Sequence, residues 1–268
     1  MTEENVMGKE REEVNTLVDE LTLFDDDLMS RVFDKNTEAT EFVLRIILGR
    51  NIKVISVVGQ AEFKNHEVGG RNITLDVHAI DVNGEEIDIE VQGNSAGAHI
   101  RRARYHSSMV DSRMLAEGQA FKELKDSYII FIYKHDKFRK GLPLYHIDRY
   151  IRETDELFED GSHIIYVNGS YKENDEIGQL MKDFHQTDPE NIHYDALAQG
   201  VKHFKETEKG REQMCEAVEK YAEKRATEEK VVSVKNLMET MKLTLDQALN
   251  ALKIQGEERN FIIKQIQK

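Results

Sequence analysis

The chain has 268 residues, 39% hydrophobic and 33% charged, with a formal net charge of −14 from 37 basic and 51 acidic side chains. That length buries a substantial core, in one domain with an appendage or in two small ones, and no apolar run approaches the roughly 20 residues that span a bilayer. One cysteine, Cys215, excludes an intrachain disulfide and a cysteine-based zinc site; with a polar, acidic start, neither secretion nor a membrane anchor is expected, and the expected location is the cytoplasm. The acid excess argues against a protein that coats nucleic acid, because Lys and Arg contacts to phosphate dominate that affinity. Distribution outweighs the total, however. Acids crowd at the N-terminal tail, at Asp25–Asp27 and between Glu153 and Asp160, whereas His99, Arg101, Arg102, Arg104, His106 and Arg113 follow one another in a single stretch.

Residues 1–20 read as a polar tail, frayed or loosely helical, and Leu23 to Phe33 as a short helical lead-in. Thr37 is a plausible N-cap for a helix that runs to a stop at Gly49, with Phe42, Val43, Ile46 and Ile47 on its apolar face. Glu41 lies beside that face, one turn from Arg45, where an ordinary surface ion pair is the simplest reading. Ile52 to Val58 reads as a strand, extended by Gln60 to Asn65, and the Gly69-Gly70 turn leads into a hairpin.

That hairpin runs from Arg71 to Gln92 around Asn83-Gly84. Side chains alternate along a strand, so Ile73, Leu75, Val77 and Ala79 fall on one face and Thr74, Asp76 and His78 on the other. In the second strand Ile87, Ile89 and Val91 oppose Asp88, Glu90 and Gln92 in the same way. A two-residue Asn83-Gly84 loop would place Asp76 and Glu90 on opposite faces. A three-residue loop, Val82-Asn83-Gly84 with Gly84 left-handed at a bulge, pairs Asp81 with Glu85 and Asp76 with Glu90. Only the second register gathers the apolar residues of both strands, so the bulged turn is predicted. Two carboxylates then sit side by side with the Gln92 amide one step along. Such a pair repels unless a cation neutralises it or one member keeps its proton, and hard oxygen ligands suit Mg²⁺. His78 reads as hydrogen-bonded structure, Asp88 as lying near solvent or a basic side chain, and Asp81 and Glu85 as solvated.

Gly93 to Gly97 reads as a flexible exit and Ala98 to Leu115 as a long helix. On it Arg101, Arg104 and Ser108 share a side, either a solvated basic face or a phosphate-binding one, for which guanidinium forks are suited. Ser127 to Tyr133 is a continuous apolar run, as in a strand buried on both faces. Leu144 to Ile147 and His163 to Val167 are short strands around the acidic 155–160 turn, and Ile177 to His185 and Tyr194 to Phe204 are packing helices. Helix, strands, helix, strands predicts an α/β sandwich around a mixed central sheet. From Glu206 to Glu239 a long exposed helix is expected. Thr244 and Gln247 form a capping box for a helix over Leu245–Leu252, and Gly256 precedes a last helix around Arg259–Ile266.

The Asp76…Glu90-x-Gln92 spacing resembles the signature of the PD-(D/E)XK nucleases, an Asp on one strand and then an acid and a Lys two apart on the next. Flanking blocks bring the resemblance to the branch of nuclease-family transposases, or recombination-promoting nucleases: Leu23–Asp34, Glu38–Arg50, Arg102–Ser108 and His163–Gly169. It spans most of residues 20–210. It implies a restriction-endonuclease-like domain over 21–205 after the 1–20 tail; the helices read over 206–268 form a C-terminal extension, suited to DNA binding or, with few basic residues at the start of its last helix, to a homodimer or another partner. It implies a DNA endonuclease linked to transposition or recombination, with Mg²⁺ or Mn²⁺ on Asp76, Glu90 and the Val91 carbonyl. Glu41 resembles the first-helix acid that completes the site, and Arg101, Arg102, Arg104 and Ser108 would bind DNA phosphates. Gln92 departs from the pattern's Lys: an amide positions water but neither takes its proton nor brings positive charge. Two rivals remain, a cleavage-deficient DNA-binding or recombination accessory and an oligomerising interaction protein.

Overall fold

Alternating runs of helices and strands build the layers that hold the hairpin. The computed structural model describes residues 3–65, 67–94, 97 and 99–266, with backbone alone for 3–10, 221 and 224. Three helices, α1 (Glu3–Glu20), α2 (Asp26–Phe33) and α3 (Thr37–Leu48), precede strands β1 (Val54–Phe63), β2 (Ile73–Asp81) and β3 (Glu86–Gln92). Then come α4 (Ile100–Met114), β4 (Ser127–Tyr133), β5 (Leu144–Ile147), the small pair β6 (Tyr150–Ile151) and β7 (Glu156–Leu157), and β8 (Ser162–Asn168). The chain continues through α5 (Glu176–Phe184), α6 (Asp195–Glu206), α7 (Glu208–Thr240), α8 (Leu245–Ala251) and α9 (Gly256–Ile266).

The sheet order is β1-β2-β3-β4-β8-β5. β1, β2 and β3 are antiparallel, β3, β4 and β8 run parallel, and β5 returns antiparallel at the edge. The parallel β3–β4 step needs a crossover, which α4 supplies by packing on β4 and β8. α2 and α3 pack on β1, so the mixed sheet is sandwiched as the element order predicts. Ile129 to Ile132 have no exposed surface, as expected of a strand covered on both faces.

The hairpin takes the bulged register. Val77 faces Ile89 and Ile80 faces Glu86, Gly84 is left-handed (φ 81°), and the Gly84 N–H donates to Asp81 O at 3.1 Å. Three expectations around it are corrected. Asp81 is 1% exposed, because its carboxylate accepts from the Asn83 and Glu85 N–H groups and so ties the turn. Glu85 pairs with Arg50 rather than with water. The face of Ile73, Leu75, Val77 and Ala79 is not continuous. Gln60 is left-handed (φ 52°), and the β1–β2 ribbon turns there: Ala61, Ile73 and Leu75 join the cluster containing Ala103, Met109 and Val110 of α4. The Phe63 ring accordingly lies 5.1 Å from His78. A left-handed residue within a strand re-aims the side chains beyond it.

Smaller corrections follow from local chemistry. Asn36, not Thr37, caps α3 by accepting from the Ala39 N–H at 3.1 Å. The 1–20 segment is helical over Glu3–Glu20, and the acidic stretch after residue 148 holds the β6–β7 pair. Ser95, Ala96 and Ala98, in the expected exit and helix start, lie outside the described residues.

The chain divides into two compact units, Asn15–Met214 and a second built from Cys215 onward with the stretch up to Val14. In the second, Val234, Ala248, Leu249, Ile254 and Ile262 form a core of their own, and Thr244 and Gln247 make the predicted capping box. No helix among the described residues is long and apolar enough to cross a membrane. In the first unit, Lys205 is 4% exposed, and its ammonium donates to the carbonyls of Asp19, Leu21 and Thr187 at 2.8, 2.5 and 2.5 Å. Burial lowers its pKa, yet three carbonyls depend on it. Lys205→Met leaves them unpartnered and is expected to destabilise the chain by about 2–4 kcal/mol in urea unfolding.

Candidate metal centre

Asp76 stands where the β2–β3 ladder gives way to side-chain bonds. Its own N–H donates to Glu90 Oε1 at 3.0 Å, and its Oδ2 accepts from the Val91 N–H at 3.0 Å. Each strand thus ends its pairing by offering a backbone donor to the other strand's acid. This reciprocal pair fixes the two carboxyl groups side by side, as the bulged register predicts. Asp76 is 6% exposed and Glu90 has no exposed surface. No hydrogen bond within the protein holds Asp76 Oδ1 among the described residues.

Asp88 and His106 enlarge the site beyond the expected residues. Asp88 is fully buried, not near solvent, and its Oδ2 lies 2.8 Å from His106 Nδ1 on α4. The Arg102 Nε donates to His106 Nε2 at 3.2 Å. A guanidinium only donates, so Nε2 accepts and the neutral ring carries its proton on Nδ1, aimed at Asp88. Burial lowers the His106 pKa and favours that neutral form. Arg102 also places Nη2 on Glu90 Oε2 and donates from Nη1 to Gly97 O at 3.3 Å.

Three carboxyl groups therefore face one guanidinium. Burial first, and then the Glu90 charge, pushes Asp76 well above the usual carboxylate range; the Asp26 charge adds to it. Burial and the Asp76 charge do the same to Asp88. Burial and the Asp88 charge push Glu90 up to about 8. Asp88 Oδ1 is buried with no hydrogen-bond partner, which is costly for a carboxyl oxygen. Ligand atoms of Asp88, Glu90 and His106 lie within 4.8 Å of one another, close enough for a metal ion. The Nδ1 proton, however, makes His106 a hydrogen-bond donor in this arrangement. A hard divalent cation on the carboxylate oxygens fits the shortage of positive charge and the orphaned oxygen.

Gln92 is half-buried, and its amide oxygen lies 1.5 Å from where a Cβ on Gly97 would stand. A side chain at Gly97 would displace that flexible amide, so Gly97 leaves room for it. Glu41 is not brought to the site, and neither expected reading of it stands. Its Oε1 accepts from the Val54 N–H at 2.9 Å and lies 3.0 Å from Lys53 Nζ, while Arg45 pairs with Glu176. Val54 faces Asp81, five residues along β2 from Asp76, or about 16 Å of strand. The acid whose charge does reach Asp76 is Asp26, exposed in the first turn of α2. The Asp25-Asp26-Asp27 triplet marked it, but the sequence alone did not aim α2.

The basic residues of α4 divide. Arg101, Arg104 and Ser108 are exposed, with the Ser108 hydroxyl donating to Arg104 O at 3.0 Å. Arg102 turns inward instead. His78 bonds Glu86 at 2.8 Å as structure, in line with its expected role.

A family model described as PD-(D/E)XK nuclease family transposase matches residues 32–248. No curated protein and no solved structure matches the chain.

The raised Glu90 pKa has a sign. Protonated Glu90 stabilises the metal-free fold fully below its ordinary value of 4.5, and that contribution is lost as the pH rises through about 8. In EDTA, the thermal midpoint is expected to fall between pH 5 and pH 9, and Glu90→Gln is expected to flatten the fall. Scanning calorimetry of both proteins across that range checks it.

Proposed function

Because the chain belongs to the PD-(D/E)XK nuclease family transposases, nucleases linked to transposition or recombination, we propose that it is a metal-dependent DNA endonuclease centred on Asp76 and Glu90. The observation that carries this reading is the reciprocal Asp76–Glu90 pair, two buried acids with too little positive charge around them. Asp76, Glu90 and the Val91 carbonyl would hold Mg²⁺ or Mn²⁺. When bound there, such an ion makes water more acidic and offsets charge at phosphorus.

The chain's own residues do the rest. In hydrolysis a bond forms between water oxygen and phosphorus, one ester P–O bond breaks, and a phosphate monoester and an alcohol result. The Gln92 amide, two residues along β3 from Glu90, orients the attacking water; as an amide it takes no proton, which passes to solvent. The low exposure of Asp76 and Glu90 keeps competing water away from the acids. Arg101 and Arg104, on the exposed side of α4, grip backbone phosphates flanking the cut. Asp26 is exposed and its charge contributes to raising the Asp76 pKa.

The Gln92 departure supports one rival, a family member that binds DNA without cutting it. Supercoiled plasmid with Mg²⁺ or Mn²⁺ separates the two. Nicking by the native protein, reduced at least about 100-fold in Asp76→Ala and Glu90→Ala, is the expected outcome. Nicking no faster than in those variants sinks the nuclease reading and leaves the accessory.

DNA binding has its own check. Arg101→Ala/Arg104→Ala is expected to weaken duplex binding across all sequences and to lower the slope of log affinity against log salt by about 2. Fluorescence anisotropy over a salt series measures both, and an unchanged slope removes α4 from the DNA interface.

A further inference from the structure

Arg102 differs from the other basic residues of α4 in what it touches. Its side chain is 33% exposed, while Glu90 beneath it has no exposed side-chain surface. The guanidinium therefore lies between the buried acid and solvent. Three of its five N–H groups are committed, to His106 Nε2, Gly97 O and Glu90 Oε2. Two N–H groups remain for an incoming oxygen. The guanidinium carbon is 5.8 Å from the centre of the Phe131 ring, which adds a cation–π contact to its support.

The same site lacks positive charge where the family's pattern has it. Gln92 is neutral. The one cationic side chain in hydrogen-bond contact with Glu90, among the described residues, arrives from α4 rather than from β3.

We propose that Arg102 is a catalytic residue that supplies, from α4, the positive charge Gln92 cannot, and that His106 and Asp88 are the positioning residues that aim its guanidinium. This rests on the nuclease reading above and deepens it. Asp88 holds the His106 ring through Nδ1–H. The ring's Nε2 then takes the Arg102 Nε–H, which fixes the plane of the fork and leaves its two Nη atoms to Glu90 and Gly97. In the protein without a divalent ion, the guanidinium is held on Glu90 Oε2. A divalent ion on Glu90 would compete with the guanidinium for Oε2, and the two uncommitted N–H groups would be free to donate to the non-bridging oxygens of the scissile phosphate. Charge that develops on those oxygens as the ester bond breaks meets donors already in place. Arg101 and Arg104 hold DNA; Arg102 acts on the step that cuts it.

Three measurements on the full chain test this, two of which need no turnover. The first is Mn²⁺ affinity by calorimetry. Arg102→Ala is expected to bind Mn²⁺ at least about threefold more tightly, because the guanidinium no longer occupies Glu90 Oε2 beside the ion's place. The second is duplex affinity in EDTA, expected to stay within about twofold in Arg102→Ala and to fall in Arg101→Ala/Arg104→Ala. The third is single-turnover cleavage with Mg²⁺, expected to drop about 100-fold in Arg102→Ala and to recover in part in Arg102→Lys, which keeps a cation beside Glu90. His106→Phe is expected to slow cleavage by about tenfold alone and not at all on top of Arg102→Ala, the sign of residues acting as one unit. His106→Gln, which retains an acceptor for the Arg102 Nε–H, is expected to restore part of the rate. Mn²⁺ binding that is weakened or unchanged in Arg102→Ala overturns the proposal, as does a loss of DNA affinity as large as the loss of rate. A native protein that cuts nothing sinks the nuclease reading instead, and the Mn²⁺ measurement still decides whether Arg102 holds the cation's place.

Discussion

The structure is organised by the cost of burying acid. Asp76, Asp88 and Glu90 occupy one pocket with Arg102 as their cation and a neutral His106. Charged carboxylates pay heavily for leaving water, and packing apolar side chains in their place would be cheaper. A chain that keeps three of them together retains a site able to take a proton or a cation at need. Everything nearby serves to hold that arrangement: the β2–β3 ladder ends there, α4 closes over it, and Gly97 admits the Gln92 amide.

Register is the second constraint, and it is set about 16 Å away at the turn. Gly84 accepts a left-handed backbone, Asp81 satisfies the loop's N–H groups, and the extra residue shifts the pairing by one. Had the loop been one residue shorter, Glu90 would point to the opposite face from Asp76 and no site would form. The left-handed Gln60 then turns the distal ribbon across α4, so the site lies at a bend. Strand geometry places the acids, and the bend encloses them.

These causes explain what the sequence revealed and what it withheld. The Asp76–Glu90 pair was legible because alternation and turn length are arithmetic on residue numbers. The sheet sandwich was legible because apolar runs such as Ser127–Tyr133 announce buried strands. Asp88 and His106 were not, since their meeting depends on how far α4 is rotated above the sheet, and a basic helix with apolar residues on several sides does not specify that. Glu41 misled for a related reason: a helix places its acid at one height along a strand, and nothing in Glu38–Leu48 states which. The Val54 N–H, left over where β1 begins, drew the Glu41 carboxylate to the turn end of the sheet.

Net charge also looks different once positions are known. A total of −14 opposes a phosphate-rich ligand only if the acids face it. Three are sealed in the pocket, where burial favours their protonated, uncharged forms in the absence of a cation. Asp81 and Asp183 spend their carboxylates on backbone N–H groups. Arg101 and Arg104, by contrast, stand exposed on the helix that covers the pocket. Long-range repulsion from the remaining acids is screened beyond about 8 Å at physiological salt, so a local pair of guanidinium groups can govern contact at that face. The acid excess opposes indiscriminate binding of nucleic acid, and on the nuclease reading proposed above a DNA strand would approach from the side where α4 presents its arginines.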